Sequence, residues 1–286
     1  MEKLNKKYIF MCFLISFYII LYSNLIEKKY SHKYKVVAIS YANYKYLKQL
    51  KINKFTALNV GKVDEYYSYK PDDIDVNFKK KNKDILSRKR GDGYWLWKPY
   101  FILKTLRDKL NKGDYLIYTD AGILYKNKVE RVIKFMISKN EDIWSIRTGY
   151  LEKKFSKRDA FILLDADSPI YTDTFQYMAG IQIYKKSNFS EKFLEKLLNY
   201  STDRRIITDD PNTQGLPNYR EFIDHRHDQT ILSIITKKLR FSNLNKNIIK
   251  PNDLNKINVN LMPNIFCIYR KFPFKSYYQL RKKCRY

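Results

Sequence analysis

Two short stretches hold the residues best suited to chemistry. In DYLIYTDAG (Asp114–Gly122), an apolar run from Tyr115 to Thr119 ends in one carboxylate and two small residues, Asp120-Ala121-Gly122. A strand that stops at an acid sets it on the C-terminal edge of a sheet, where open α/β folds bind ligands. A carboxylate there can hold a divalent cation that bridges a diphosphate, and Ala121 and Gly122 let backbone and ligand come close. The same three residues also make an ordinary turn. In DHRHDQ (Asp224–Gln229), two of the chain's three histidines, His225 and His227, stand beside Asp228 and Gln229. Neutral imidazole ligates metals, and carboxylates act as bases or hold hydroxyls. His225 and Gln229 are four apart, as are Asp224 and Asp228, so each pair shares a helical face.

Ile231, Leu232, Ile234 and Ile235 would bury the helix that follows, with Asp224 as its N-cap. The polar cluster then falls at a helix start, where free N–H groups also favour phosphate; a capped, solvated terminus is the plainer alternative. No H-x-x-x-H pair exists, which argues against a structural zinc site. GYWLWKP (Gly93–Pro99) offers Trp95 and Trp97 as an aromatic wall with Lys98 reaching a phosphate, or equally two core tryptophans and a solvated lysine. Asp165-Ala166-Asp167 has the spacing of a metal-binding D-x-D but lies between a helical pattern and a Ser-Pro loop, so we read it as a decoy.

The elements that must position these residues alternate. KVVAIS (Lys35–Ser40) reads as a first strand, NYKYLKQLK as a short helix and FTALNVG as a second strand ending at Gly61. Pro99 suits the first turn of a helix carrying Phe101, Leu103, Leu106 and Leu110. Then come the strand before Asp120, a helix over Val129–Ser138, the strand DIWSIR, the helix KRDAFILL, the strand MAGIQIYK and an amphipathic helix over Ser190–Tyr200. Such an order predicts an α/β fold with a parallel core.

With 286 residues, 44% of them apolar, the chain can bury a sizeable core and is not of disordered composition. Its 56 Lys and Arg against 29 Asp and Glu give +27. That charge suits a polyanionic partner, but Lys, Asn, Ile and Tyr run high together, as an AT-rich genome would produce. No zinc-finger spacing or aromatic RNA-binding signature accompanies it, which argues against nucleic acid. Cys12, Cys267 and Cys284 imply no disulfide framework, although the last two could pair.

Tyr8–Ile26 is 19 residues without a charge, flanked by Lys6-Lys7 and Glu27-Lys28-Lys29. As a helix it would be about 28 Å long, one hydrocarbon thickness. No small-x-small cleavage site follows, so an uncleaved transmembrane signal anchor is expected rather than a signal peptide. The expected organisation is a tail (1–7), the anchor (8–26), a stem (27–34), a catalytic domain (35–245) and a basic C-terminal extension (246–286). The expected placement is single-pass, type II, with the domain lumenal or extracytoplasmic. Asn188 and Asn199 begin sequons compatible with that side.

RGDGYWLWKPYFILKTL, GDYLIYTDAG and HRHDQTILSII, in this order, with FQYMAGIQIYKKSNFSEKFLEKLLNY between the last two, resemble a group of GT-A type nucleotide-sugar glycosyltransferases. That group includes proteins encoded in bacterial polysaccharide clusters and in large DNA viruses, and the similarity spans roughly residues 35–239. The resemblance implies a GT-A-like (Rossmann-like) mixed, mostly parallel sheet flanked by helices. It implies transfer of a sugar from a nucleoside-diphosphate sugar to a glycan, lipid or protein acceptor, here on a membrane-anchored enzyme.

Asp120 matches the position of the family's D-x-D, but Gly122 stands where the second acid belongs. A bound Mn²⁺ or Mg²⁺ would then need Asp120 plus a histidine, His225 or His227. Asp228-Gln229 matches the Asp-Gln pair near the transferred sugar, with Asp228 the expected base if the outcome is inverting; a retaining outcome is equally open. Trp95, Lys98, Asp120, Ala121, Gly122 and His227 are the expected donor-binding residues. The alternative is a non-catalytic, basic, membrane-associated binding protein on a degenerate transferase fold.

Overall fold

Val36–Tyr41 forms β1, buried at every residue, as a near-continuous apolar run must be when helices or strands cover both its faces. The structure, a computed structural model, describes residues 11, 14–18, 34–242 and 265–268. The chain divides into two units, Met1–Tyr34 and Lys35–Tyr286, and the elements below belong to the second.

After β1 come α1 (Leu47–Thr56), β2 (Glu65–Tyr69), α2 (Trp97–Lys109), β3 (Tyr115–Thr119) and β4 (Ile123–Tyr125). Then follow α3 (Glu130–Ser138), β5 (Ile143–Leu151), β6 (Phe175–Lys185), α4 (Asn188–Ser201), α5 (His227–Ser242) and β7 (Phe266–Ile268), with short helical turns in the connections. The main sheet has the order β2-β1-β3-β6-β5. β1 pairs in parallel with β2 and β3, while β6 runs antiparallel to both β3 and β5. Four strands therefore run one way and one is reversed, a mixed and mostly parallel α/β sheet flanked by helices. β4 pairs with β7 in a separate ribbon.

The core centres on Val37, Ile39, Leu116 and Tyr118 of the sheet, Phe101, Ile102 and Leu106 of α2, and Ile231, Ile234 and Ile235 of α5. Beneath it lies a buried ion pair, Lys237 Nζ to Glu152 Oε1 at 2.7 Å, with Ser156 and Gln176 also donating to Glu152. Burial lowers the Lys237 pKa to about 8, against the opposing pull of Glu152.

Three expectations are corrected. FTALNVG is not a strand: α1 continues through it as a wide turn, Ala57–Gly61, that ends where Lys62 turns left-handed at φ 59°. Its strand-like Val and Leu are overridden by the packing of Asn53, Thr56 and Ala57 into the interior. The second strand is instead Glu65–Tyr69, a sheet edge whose tyrosines are only half buried. Asp224 does not cap α5; its carboxylate is bound by Arg90 at 2.9 Å, and the helix begins at His227.

The expected N-terminal transmembrane helix is overturned as well. No helix among the described residues is long and apolar enough to cross a membrane. The transmembrane signal anchor, the single-pass type II placement and the membrane as partner fall with it. Within Tyr8–Ile26, residues 11 and 14–18 are described and helical, and the remainder lies outside the described residues.

Candidate active site

Asp120 follows β3 directly, and its main chain is fixed before its side chain is considered. Its N–H donates to Gly180 O at 2.8 Å. Asn53, buried on α1, donates from Nδ2 to Thr119 Oγ1 (2.9 Å), Asp120 O (3.3 Å) and Ile123 O (2.7 Å). Tyr66 donates to Asn53 Oδ1 at 2.5 Å, so β2 steadies the clamp. Tyr118, two residues back on the same face of the strand, donates its hydroxyl to Asp120 Oδ1 at 2.6 Å. Burial, then the nearby Asp120 charge, pushes the Tyr118 pKa well up, so it remains a donor.

Lys98, on the first turn of α2, is 3% exposed. Its Nζ stands 2.6 Å from Asp228 Oδ2 and 3.3 Å from Asp120 Oδ1. Burial alone would lower the Lys98 pKa, but the two carboxylates outweigh it and hold the ammonium above its ordinary value. Burial also raises the Asp228 pKa, against the opposing charge of Lys98. This acid–ammonium–acid bridge is the electrostatic centre of the site, and it carries net charge −1 when all three groups are ionised. Lys98 was expected to reach a phosphate; it is instead spent between two carboxylates.

Gln229 follows Asp228 and repairs a defect in the sheet. The β5–β6 pairing steps from Ser145↔Gln182 to Arg147↔Tyr177, an irregularity that frees the peptide groups of residues between. Gln229 Oε1 accepts from Ala179 N at 3.3 Å, and Gln182 Nε2 donates to Ala179 O at 2.7 Å. Gly180, next in line, packs against Asp120: a Cβ there would sit 2.9 Å from Asp120 Oδ2. Only glycine lets β6 pass so close to the acid.

A cleft of about 610 Å³ opens outside the C-terminal ends of β1 and β3. Its lining includes Tyr41, Trp95, Trp97, Asp92, Asp120, Ala121, Gly122, Gly180 and Gln229. Trp97 stacks on Tyr41 at 3.8 Å, and the Tyr41 hydroxyl bonds Asp92. One wall is a left-handed turn: Gly91, Asp92, Gly93, Tyr94 and Trp95 all have φ between 52° and 90°. Gly93 needs that freedom, because a Cβ would meet Leu86 Cα at 2.7 Å.

Of the expected site residues, Trp95, Asp120, Ala121, Gly122 and Gln229 line the cleft, while Lys98 and Asp228 are buried behind Asp120 and do not line it. The histidines are placed otherwise. His225 Nδ1 accepts from Lys157 N (3.2 Å) and its Nε2 meets Ile206 O (2.8 Å), so both ring nitrogens are committed to the backbone. His227 Nδ1 donates to Ile207 O at 2.7 Å, and its ring stacks on Trp95 at 5.2 Å. Burial lowers both pKa values, that of His227 to about 4, so both rings are neutral. They support the cleft wall and do not line it. Asp167 of the decoy triplet pairs with Arg158 and Tyr219.

The described residues show no ready-made site for the expected Mn²⁺ or Mg²⁺. Among the described residues no three His, Cys, Asp or Glu side chains converge as a metal site. Asp120 Oδ1 is shared by Tyr118 and Lys98, which leaves Oδ2 as its one open oxygen, with a positive ammonium beside it. A hard cation held there would draw its other oxygens from water and the diphosphate, and the neighbouring ammonium opposes it.

No protein-family model and no curated protein matches this sequence. Several solved structures are similar. The galactosyltransferase LgtC, in complex with donor and acceptor sugar analogues, matches at TM-score 0.44 and 10% identity, over 82% of this chain and 86% of that one. The bifunctional glycosyltransferase WbbM, in its apo form, matches at 0.41 and 9%, over 72% of this chain and 38% of that one. Mouse xyloside xylosyltransferase 1, also apo, matches at 0.40 and 11%, over 72% and 82%.

Proposed function

We propose that the chain transfers a sugar from a nucleoside-diphosphate sugar to an acceptor hydroxyl. One observation carries the reading: the cleft lies at the topological switch point of the sheet. From β1 the chain passes to β2 on one side, and from β2 it crosses back to β3 on the other side of β1. In an open α/β sheet the crevice between two such strand ends is where nucleotides bind. Here it is lined by Tyr41, Ala42 and Asn43 after β1 and by Asp120, Ala121 and Gly122 after β3.

In the reaction an acceptor oxygen bonds to the anomeric carbon. The bond from that carbon to the diphosphate breaks, and its electron pair leaves with the phosphate. The acceptor proton passes to a base, and Asp92 and Asp120 are the carboxylates that line the cleft. The flat faces of Trp95 and Trp97 suit a base or sugar ring. Gln229 reaches the cleft while bracing β6. Asp228 is not exposed to the cleft; we assign it a positioning role through Lys98 rather than that of base.

The test is turnover of a panel of nucleotide sugars, followed as nucleoside-diphosphate release with and without simple sugar acceptors. Wild type is expected to hydrolyse or transfer at least one donor, and Asp120→Asn to lose about 100-fold or more of that rate. If no donor binds or reacts while the protein keeps its cooperative unfolding transition, the reading is wrong.

A further inference from the structure

We propose that Lys89 and Arg226 form an anion subsite on the rim of the cleft that takes the donor's diphosphate and neutralises it, in place of a divalent cation. The inference rests on the nucleotide-sugar reading above. It begins from a contrast among neighbouring cations. Arg88 pairs with Asp210, and Arg90 pairs with Asp209 at 3.1 Å and Asp224 at 2.9 Å. Lys89, between them, has no acidic partner among the described residues, and it lines the cleft. Arg226 lies two residues beyond Asp224 and also lines the cleft without an acidic partner among the described residues.

The Arg90–Asp224 pair and the Trp95–His227 stack tie these two segments together. Lys89 and Arg226, neither with an acidic partner among the described residues, thus line the cleft from two joined segments.

Arg226 is not a loose surface charge. Its guanidinium lies over the Tyr150 ring at 4.6 Å and the Phe155 ring at 5.2 Å. Its main-chain N–H is fixed to Phe155 O at 3.0 Å. Its Nε is buried and has no hydrogen-bond acceptor in the protein. A buried donor without a partner is costly unless a ligand supplies one, and a planar guanidinium held on aromatic faces suits two phosphate oxygens. Chemically, the subsite answers the lack of a ready-made metal site among the described residues. When the glycosidic bond breaks, the departing electron pair adds charge to the terminal phosphate, and a held guanidinium with a mobile ammonium beside it can stabilise it without any metal.

The experiment measures binding of inorganic pyrophosphate and of uridine, guanosine, adenosine and cytidine diphosphates by calorimetry. Full-length protein is used, once in EDTA and once in Mn²⁺. At least one nucleoside diphosphate is expected to bind with the same Kd within about twofold in both buffers. Lys89→Gln and Arg226→Gln should each weaken it by about tenfold or more, as expected for a lost charge-assisted hydrogen bond. Lys112→Gln, on an exposed turn away from the cleft, should leave it unchanged. Lys89 is exposed, so its variant guards against loss of fold in the Arg226 variant, and Arg226→Lys should recover part of the affinity.

Binding that requires Mn²⁺, or that ignores both substitutions, overturns the subsite and leaves the transferase reading standing. Absence of binding in both buffers by every diphosphate removes the transferase reading and the subsite together.

Discussion

Replacing Lys98 by Met should turn the stability of the protein into a function of pH. The substitution keeps most of the side-chain volume and removes the ammonium 2.6 Å from Asp228 and 3.3 Å from Asp120. Asp120 is half exposed and can be hydrated, but Asp228 is 8% exposed and cannot. Burial already raises the Asp228 pKa with Lys98 in place; without it the carboxyl must take up a proton in the folded state.

In the unfolded chain that group titrates near 4. Holding it protonated at pH 7 therefore costs about 1.4 kcal/mol per pH unit over roughly three units, or about 4 kcal/mol. That agrees with the roughly 3–5 kcal/mol typical of breaking a buried pair. The sign follows from the raised folded pKa. The folded variant binds a proton that the unfolded chain does not, so its deficit shrinks as the pH falls and is nearly gone at about pH 4.

Urea unfolding of wild type and Lys98→Met at pH 5 and pH 7.5 measures this directly. The gap should widen by about 3 kcal/mol across that interval. In the double variant Lys98→Met with Asp228→Asn, much of the loss at pH 7.5 should be recovered, because no charge is left stranded. A gap that is constant with pH, or a double variant no better than the single, refutes the bridge as the electrostatic centre.

Three further outcomes follow from the same structure. Gly180→Ala should lower turnover by about tenfold or more at little cost in thermal stability, since its Cβ would press on Asp120 Oδ2 at 2.9 Å; unchanged kinetics contradict the packing argument. His227 has a depressed pKa of about 4, so the unfolded chain binds the proton first. Stability should fall by about 1.4 kcal/mol per unit from this residue as pH drops from about 6.5 towards 4, and His227→Asn should flatten that slope in acid unfolding curves. Lys237→Met should cost about 3–5 kcal/mol in urea unfolding by stranding Glu152, and adding Glu152→Gln should restore part of it; additive losses would show the pair is not coupled.

Much of the frame was legible because its signals are local. The apolar run of β3, the proline at the start of α2 and the apolar spacing of α5 each announce their element. The switch from strand to acid put Asp120 at the C-terminal end of β3 for the same reason. What failed depends on partners far along the chain. Glu65–Tyr69 has no apolar alternation, because tyrosine can cover a sheet edge with its ring while its hydroxyl finds a polar partner, as Tyr66 does on Asn53 and Tyr69 on Thr105. The histidines had the composition of ligands, yet only the fold shows their nitrogens turned to the carbonyls of Ile206 and Ile207. Lys98 had the chemistry for phosphate, but its place between two acids follows from the fold bringing the end of β3 and the start of α5 to the first turn of α2. Gly180 is one glycine in a strand, and nothing in FQYMAGIQIYK says that Asp120 lies against it. A glycine inside a strand pattern was the available signal, since it marks a bulge or a close approach.

The left-handed turn at residues 91–95 sets the chirality of the amino acids against the fold. Three of its members, Asp92, Tyr94 and Trp95, have side chains, and each pays about 1–2 kcal/mol to stand there, so the turn holds roughly 3–6 kcal/mol of local reluctance. It is retained by a local bond from Trp97 Nε1 to Gly91 O at 3.0 Å and by a distant contact, the stack of Trp95 on His227. The cleft wall is thus a spring whose latch lies more than a hundred residues away in sequence. With the His227 latch removed, only the Trp97–Gly91 bond and the Tyr41–Asp92 bond would be left to hold that reluctance in check.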